Sequence, residues 1–277
     1  MSADVQRTVT EPAQRWELPP LRQLWDYRDL VYLLARRDVA VRYKQTVIGA
    51  LWAVVQPVSL AIVFSVFLGF IAKLPAPEGV PYAVFALAGM TMWLLFSGSL
   101  MRTADSTLSS VALISKVYFP RVIIPLSAVL APVVDFAVAF VVLLIALAIY
   151  GVELQVNLLL TPVMLLLALV VALGAGLWLS ALAVRYRDVQ QLVPFTIQVL
   201  LFATPVLYPL SQVPDHVQWV YALNPLVGVM EGFRWATLPG ADAPGWMLVI
   251  PAVTGTLMLV SGLLYFQRAE QDFADVI

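Results

Sequence analysis

The side chains that can do acid–base or metal chemistry are few and scattered. Among the acids beside or within the apolar part of the chain are Asp135, Asp188, Asp215 and Glu231, and they form neither a paired-carboxylate site nor an HExxH motif. There is no cysteine and only one histidine, His216, so thiolate nucleophiles and histidine-cluster metal sites are excluded. We therefore expect neither an enzyme nor a metal site.

The lysines do not form an ATP site. A P-loop needs Gly-Lys followed by Ser or Thr, so that backbone N–H groups and the lysine cradle the phosphates. Lys44, Lys73 and Lys116 follow Tyr, Ala and Ser, so none of them follows a glycine. If ATP drives this protein, we expect its hydrolysis on another chain.

The composition is that of a membrane protein. The chain has 277 residues, of which 61% are hydrophobic and 12% charged, and its mean hydropathy is +0.89. Soluble domains carry about 25% charged residues, so this chain has too little polar surface for a water-soluble globule. Because the N-terminal segment is polar up to about Leu30, we expect no cleavable signal peptide.

Charge-free stretches long enough to cross a bilayer recur along the chain. A membrane helix needs about 20 mostly apolar residues, and continuous apolar runs favour helices over the alternating strands of a barrel. We predict an all-α integral membrane protein with six transmembrane helices, near 48–72, 82–101, 123–149, 158–182, 190–208 and 247–266. They form one domain, 48–277, after a cytoplasmic tail, 1–26, and an interface helix, 27–47.

The positive charges lie almost entirely on one side of these spans. Of the 16 Lys and Arg residues, all but Lys73 and Arg234 fall in the N-terminal segment, the C-terminal tail, or the loops joining spans two to three and four to five. Because cytoplasmic loops carry the excess of Lys and Arg, we expect both termini in the cytoplasm.

Residues 27–47 are predicted to form an amphipathic helix that lies in the membrane interface. At helical periodicity one face is apolar: Tyr27, Leu30, Val31, Leu34 and Val41. A basic junction, Arg42-Tyr43-Lys44, follows just before the first span. The helix is either a general membrane anchor or an elbow that also contacts a cytoplasmic partner.

The polar segment 102–120 is predicted to hold a short cytoplasmic helix. Ser106 is a candidate N-cap, and Pro120 should break the helix because proline lacks an N–H and disfavours helix in the preceding residue. The tip of the segment, Val117-Tyr118-Phe119, fits either of two roles. It plugs a groove on another protein, or Tyr118 anchors a helix that rests on the lipid headgroups.

The long segment between spans five and six is too apolar for an ordinary extracellular loop. Proline interrupts it at Thr204-Pro205-Val206, Tyr208-Pro209 and Asn224-Pro225. Since non-spanning backbone at membrane depth must be buried in protein or line a cavity, we predict one or two re-entrant half-helices. Glu231 and Arg234 have the spacing of an ion pair on one helix face, and we expect a structural pair or a substrate contact.

Asp135 is the lone acid inside a predicted span. An intramembrane charge is by default a functional hypothesis. Packing of the carboxylate against a hydroxyl or a backbone group of a neighbouring helix is an equal alternative.

Five short motifs stand in order along the chain. They are Arg42–Trp52 leading to Gln56-Pro57, Lys116–Arg121 with Pro125-Leu126-Ser127, Arg185–Val189, Thr204–Val206 with Tyr208-Pro209 and Asn224-Pro225, and Phe273–Ile277. Together they resemble the permease subunit of type-2 ABC exporters, in the branch that moves polysaccharides and lipid-linked glycans. Each motif alone is weak, but their order across nearly the whole chain from about Leu30 is specific.

The resemblance implies an assembly. Two copies of the chain would form a homodimer around a central pathway in the bacterial inner membrane, with two copies of a cytoplasmic ABC ATPase beneath it. ATP and Mg²⁺ would bind the ATPase, so no cofactor is expected in this chain, and nucleic acid is not expected as a partner. The cargo would be a lipid-linked polysaccharide, such as an O-antigen.

The resemblance also implies residue roles. The segment 106–120 would be the coupling helix, braced by the interface helix. The ATPase-coupling residues would be Arg42, Tyr43, Lys44, Lys116, Val117, Tyr118, Phe119, Pro120, Arg121, Arg185, Arg187 and Asp188. The outer gate would be formed by Pro205, Pro209, Asn224, Pro225, Glu231 and Arg234.

Aromatic residues suit a glycan pathway because the C–H faces of sugars stack on aromatic rings. With the resemblance, we expect Phe67, Trp93, Phe202 and Tyr208 to line it, although lipid-facing packing and interfacial belts account for most aromatic residues.

A lipid or drug exporter of the same family is the nearest alternative function. A secondary transporter would show repeated halves with broken helices, and no internal repeat is apparent.

Overall fold

The structure, a computed structural model, describes residues 25–44, 49–117 and 119–270. Within these ranges the regular elements are all helical, which confirms the predicted all-α class. Four sets of predictions lie outside the described residues. They concern the tail up to residue 24, the junction 45–48, Tyr118 and the motif Phe273–Ile277.

Eleven α-helices cover most of the described chain. They are α1 (Arg28–Lys44), α2 (Trp52–Phe64), α3 (Tyr82–Ser109), α4 (Val111–Ile114), α5 (Ile123–Ala128), α6 (Ala131–Ile149), α7 (Thr161–Arg185), α8 (Val189–Ala203), α9 (Asp215–Ala222), α10 (Pro225–Thr237) and α11 (Val249–Glu270). A π-helical turn, Ser65–Ile71, extends α2, and 3-10 turns at Val156–Leu160 and Gly245–Leu248 lead into α7 and α11.

Five stretches of the described chain are long and apolar enough to cross a membrane. They are Trp52–Ile71, Tyr82–Ser109, Ile123–Ile149, Val156–Arg185 and Gly245–Glu270. The chain is therefore a multi-pass membrane protein.

The predicted fifth span, 190–208, is shorter in the structure. The helix α8 has 15 residues, or about 22 Å at 1.5 Å per residue, against a hydrocarbon core of about 30 Å. It ends at Ala203 because Pro205 disfavours helix in Thr204, whose φ and ψ are −114° and 140°. The described chain thus has five full-length candidate spans and one shorter apolar helix, where six full-length spans were predicted.

The helix α3 forms the buried centre of the bundle. It contacts α2, α5, α6, α7, α8 and α10. α7 lies parallel to it, since Gly176 faces Thr103 and Ser180 faces Thr107. α11 lies parallel to α7, where Gly262 packs on the Gly174 carbonyl. Small residues at these contacts let membrane helices approach closely.

The parallel arrangement gives the bundle two distinct ends. Arg121 lies where α3, α7 and α11 finish, and its guanidinium donates to the Glu270 carbonyl at 2.5 Å. Arg234 lies toward the end where these helices begin, over the ring of Phe85. We call these two ends of the bundle the Arg121 end and the Arg234 end.

The prediction of a helix beginning at Ser106 is wrong. α3 continues to Ser109, and only the four-residue α4 follows it. The Ser106 hydroxyl donates to the Thr103 carbonyl at 2.7 Å, which is how a serine inside a helix satisfies its hydroxyl. The predicted break at Pro120 is confirmed, because Pro120 lies outside helix between α4 and α5.

Candidate functional site

α1 lies on a small apolar cluster at the Arg121 end. Its Leu34 is buried with Phe119, Ile123 and Ile124. Leu30 and Val31 of α1, and Tyr27 just before it, pack around this cluster, whereas Val41, farther along, is exposed. Most of the predicted apolar face of α1 therefore contacts the protein itself, so a shift of α1 must displace the start of α5.

The basic junction at the end of α1 is tied to the third span. The Arg42 guanidinium forms an ion pair with the Asp135 carboxylate, and the Tyr43 hydroxyl donates to the same carboxylate. The Arg42 and Asp135 side chains are 30% and 19% exposed. The intramembrane acid therefore has a cation and a donor beside it, which offsets the cost of its burial.

Two cavities adjoin this ion pair. One of about 240 Å³ lies among α2, α3, α6 and α8, and Gln56 and Thr91 contribute polar atoms to it. The other, of about 680 Å³, lies between α1 and the last turns of α3 and includes Arg102. Arg42 forms part of the wall of both cavities.

The predicted ATPase-coupling residues share the Arg121 end but differ in exposure. Lys116 and Val117 are exposed, whereas Phe119 is buried against α1. Arg121 is held at the end of α11, with Nε 3.8 Å from the Glu270 carboxylate. The other described members on the surface are Lys44, Arg185, Arg187 and Asp188.

Arg234 organises the opposite end from inside the protein. Its side chain is 2% exposed, and its guanidinium donates to the Val206 carbonyl at 2.7 Å and the Tyr208 carbonyl at 3.3 Å. Glu231 accepts from it at 2.8 Å, and the Phe85 ring centroid is 4.0 Å away. Charge-assisted hydrogen bonds of this kind fix the backbone of the segment 206–208.

The other predicted gate residues surround the same segment. Asn224 caps α10, because its Oδ1 accepts from the backbone N–H two residues on at 3.0 Å, and its amide donates to Thr204 Oγ1 at 2.9 Å. Pro225 occupies the first turn of α10, where a missing N–H costs nothing. Pro205 and Pro209 lie on either side of the carbonyls that Arg234 binds.

The segment after α8 passes directly over α3 at Gly89. A Cβ on Gly89 would stand 2.1 Å from the Val206 carbonyl oxygen, so only glycine permits this approach. The Tyr82 hydroxyl, one turn before Phe85 on α3, donates to the Leu207 carbonyl at 2.5 Å. Sequence reasoning missed these α3 residues, because a glycine and two aromatic residues inside an apolar run carry no distinguishing pattern.

The four aromatic residues predicted to line a pathway do not share one surface of the protomer. Phe67 and Phe202 are exposed, whereas Trp93 is buried and packs on Phe96. The Tyr208 hydroxyl donates to the Phe202 carbonyl at 2.9 Å, and it lies 3.2 Å from the Tyr221 hydroxyl, within hydrogen-bond distance. Burial raises the pKa of the Tyr208 phenol, and the hydrogen bond with Tyr221 raises it further, so the hydroxyl stays protonated.

Known proteins are similar to this chain over almost its full length. The family model described as ABC-2 type transporter matches residues 29–238. The O-antigen export system permease protein RfbA of Myxococcus xanthus is 28% identical over 263 residues, which cover 93% of this chain and 98% of the relative. RfbA of Klebsiella pneumoniae is 26% identical over 250 residues, covering 90% and 95%.

A second kind of relative shares the same extent. The polysialic acid transport protein KpsM of Escherichia coli is 24% identical over 247 residues, which cover 87% of this chain and 93% of the relative. The family model itself spans well over half of the chain. The chain therefore belongs to the ABC-2 type transporter family, as a membrane-embedded transport component.

Proposed function

We propose that the chain is the transmembrane subunit of an ATP-driven exporter. It would move a lipid-linked polysaccharide, an O-antigen or a similar cell-surface glycan, from the cytoplasm across the bacterial inner membrane. The observation that carries the proposal is the similarity to an O-antigen export permease over 93% of this chain and 98% of that relative. A match of this length includes both ends of the bundle as well as the spans.

The Arg121 end faces the cytoplasm in this proposal. Of the Lys and Arg residues that the structure describes, only Lys73 and Arg234 belong to the opposite end, and Arg234 is buried in an ion pair. Because positive charge is retained on the cytoplasmic side, we assign both termini to the cytoplasm and the Arg234 end to the outside.

A separate ABC ATPase docks on the exposed part of the Arg121 end. Lys116 and Val117 are the accessible part of the coupling segment, while Phe119 behind them packs on α1 and Arg121 holds α11. These contacts join the segment to α1, α5 and α11. A displacement of the exposed residues by the ATPase would therefore move all three helices. The ATPase holds ATP and Mg²⁺, since no lysine of this chain stands in a P-loop.

A second copy of the chain completes the pathway. In the protomer α8 buries only Val193, and Phe67 after α2 is exposed. α8 is too short to cross lipid alone, and the non-helical chain after it must be covered by protein or line a cavity. We assign the exposed faces of α2 and α8, with Phe67, Phe202 and Tyr208, to the wall of a pathway between two copies. Trp93 is buried behind this wall and supports it by packing.

The Arg234 end forms the outer gate. α9 and α10 have 8 and 13 residues, fewer than a span needs. Val206 packs on Gly89, which lies about two turns, or about 10 Å, into α3. That depth supports α9 and α10 as re-entrant half-helices, with Glu231 and Arg234 bracing the proline-bounded segment between them and α8.

Export in the native host tests the proposal. Deleting the gene should abolish the surface glycan, and a plasmid-borne copy should restore it only with an ATPase partner that keeps its catalytic glutamate. Glycan export that persists after this glutamate is replaced by Gln would reject ATP-driven export. Loss of a lipid or of drug resistance with unchanged surface glycan would favour the lipid or drug exporter.

A further inference from the structure

A cavity with polar and apolar groups in its lining lies at the Arg234 end. Its volume is about 570 Å³, which is enough for a few sugar rings by comparison with ordinary ligand pockets. Most of its wall comes from three separate segments of the chain: the turn before α3, the stretch 209–212 before α9, and the loop 240–247 before α11.

The floor of this cavity is rigid. Arg234 and Glu231 both line it, and Arg234 is locked to two backbone carbonyls, to Glu231 and to the Phe85 ring. A site whose floor is fixed before binding loses less entropy when a ligand arrives.

The rim has the chemistry that recognises carbohydrate. Trp246 lines the cavity with its indole 61% exposed, and Ser211, Gln212 and Asp242 add exposed hydroxyl, amide and carboxylate groups. Sugars offer C–H faces to an aromatic ring and hydroxyls to polar planar side chains. Such a set is unsuited to a purely apolar ligand, because its polar groups would be left unpaired.

The charges of the lining indicate which carbohydrate fits. Arg234 is neutralised by Glu231, and Asp242 is the only other charged residue of the described lining. An anionic glycan would meet this carboxylate without a free cation to compensate it.

We infer that this cavity is a binding subsite for an uncharged segment of glycan on the exit side of the pathway. The inference rests on the proposed function, and it adds Trp246, Gln212 and Asp242 as specificity residues.

Direct binding tests the subsite. The complete transporter, this chain with its ATPase in nanodiscs, is titrated calorimetrically with the lipid-free oligosaccharide released from the host's own surface polysaccharide. Trp246→Ala should weaken binding at least tenfold, Gln212→Ala should weaken it severalfold, and Trp246→Phe should retain most of it. Trp219→Ala is the matched control, because Trp219 is 64% exposed on α9 and does not line the cavity.

The outcomes separate the subsite from the proposed function. If wild type exports glycan but does not bind the oligosaccharide, or if Trp246→Ala binds it as tightly as Trp219→Ala does, the subsite is wrong and the exporter stands. A sialic acid oligomer of equal length should bind at least tenfold more weakly, and tighter binding of that anion would overturn the charge argument. Failure of wild type to export glycan would reject the proposed function itself.

Discussion

An ionised carboxylate within an apolar helix is costly unless a cation or a donor lies beside it. Asp135 meets that need with Arg42 and Tyr43, both from the end of α1. The ion pair therefore joins the interface helix to the third span, in the wall of a cavity that α8 also lines. A shift of α1 would therefore change this pair.

Breaking the pair should destabilise the protein in a coupled way. Arg42→Gln and Asp135→Asn each leave a partly buried charge without its partner, whereas the double variant leaves none. We expect a coupling energy of about 0.5–3 kcal/mol in a double-mutant cycle, measured by unfolding of the purified protein in mixed micelles. Strictly additive single effects would show that the pair contributes no interaction of its own.

Sequence reasoning identified both partners of this contact but not the contact. Arg42 stood out because it belongs to the basic junction, and Asp135 because it is the lone acid in a span. Their meeting depends on how α1 folds back onto α6, and no local pattern determines that path. The contacts of Arg234 were also only partly predictable. Its i,i+3 partner Glu231 was predicted from the sequence, but the backbone carbonyls that Arg234 binds lie far away in sequence.

The course of the chain after α8 depends on the surface of α3. The Val206 carbonyl occupies the space that a side chain on residue 89 would need, so Gly89→Ala forces the segment 204–208 outward. We expect a loss of about 1–3 kcal/mol in the free energy of unfolding, the usual cost of overpacking, measured in mixed micelles.

Gly98→Ala is the matched control on the same helix. Its Cβ would stand 3.6 Å from Pro132, an ordinary contact, so stability should change by less than about 1 kcal/mol. Equal losses in Gly89→Ala and Gly98→Ala would mean that the contact with Val206 does not restrict residue 89.

The segment proposed to contact the ATPase has one exposed and one buried apolar residue near its tip. Val117 is 52% exposed and Phe119 is buried. Val117→Asp should lower glycan export at least tenfold with stability changed by less than about 0.5 kcal/mol, whereas Phe119→Ala should cost about 3–5 kcal/mol of stability. Cell-surface glycan and unfolding in mixed micelles measure the two effects. Normal export with Val117→Asp would reject the docking role of this surface.

Proline explains which element boundaries were predictable. Pro120 and Pro225 act on their immediate neighbours, so the break at Pro120 was predicted correctly. The same rule applied to Pro205 ends α8 at Ala203, but the long apolar run hid that boundary. Ser106 misled the prediction because serine suits both an N-cap and the interior of a packed helix, and the proximity of Ser180 decides between them.

At the scale of the whole molecule, orientation follows from the distribution of charge, and single thiols can test it. The chain has no cysteine, so Glu153→Cys and Asp188→Cys each introduce a unique thiol at an exposed position. A membrane-impermeant maleimide should label Glu153→Cys in intact spheroplasts and Asp188→Cys only after permeabilisation. The reverse labelling would place the Arg121 end outside.

Membrane class and helical content were predictable because they rest on composition and on the length of apolar runs. Four of the six predicted spans agree closely with full-length helices, and the first begins a few residues later, at Trp52. The interior arrangement was not predictable, because every face of these helices is apolar. Small residues such as Gly176 and Gly262 decide which faces meet, and their partners lie in other helices.

Transport by the purified complex tests the central claim most directly. The chain and its ATPase are reconstituted in vesicles with the ATPase outside, together with the lipid-linked polysaccharide of the host in the outer leaflet. Added ATP should make the glycan inaccessible to an external lectin, whereas ATP added to a complex whose ATPase lacks its catalytic glutamate should not. Glycan that stays accessible in an ATP-hydrolysing wild-type complex would contradict it.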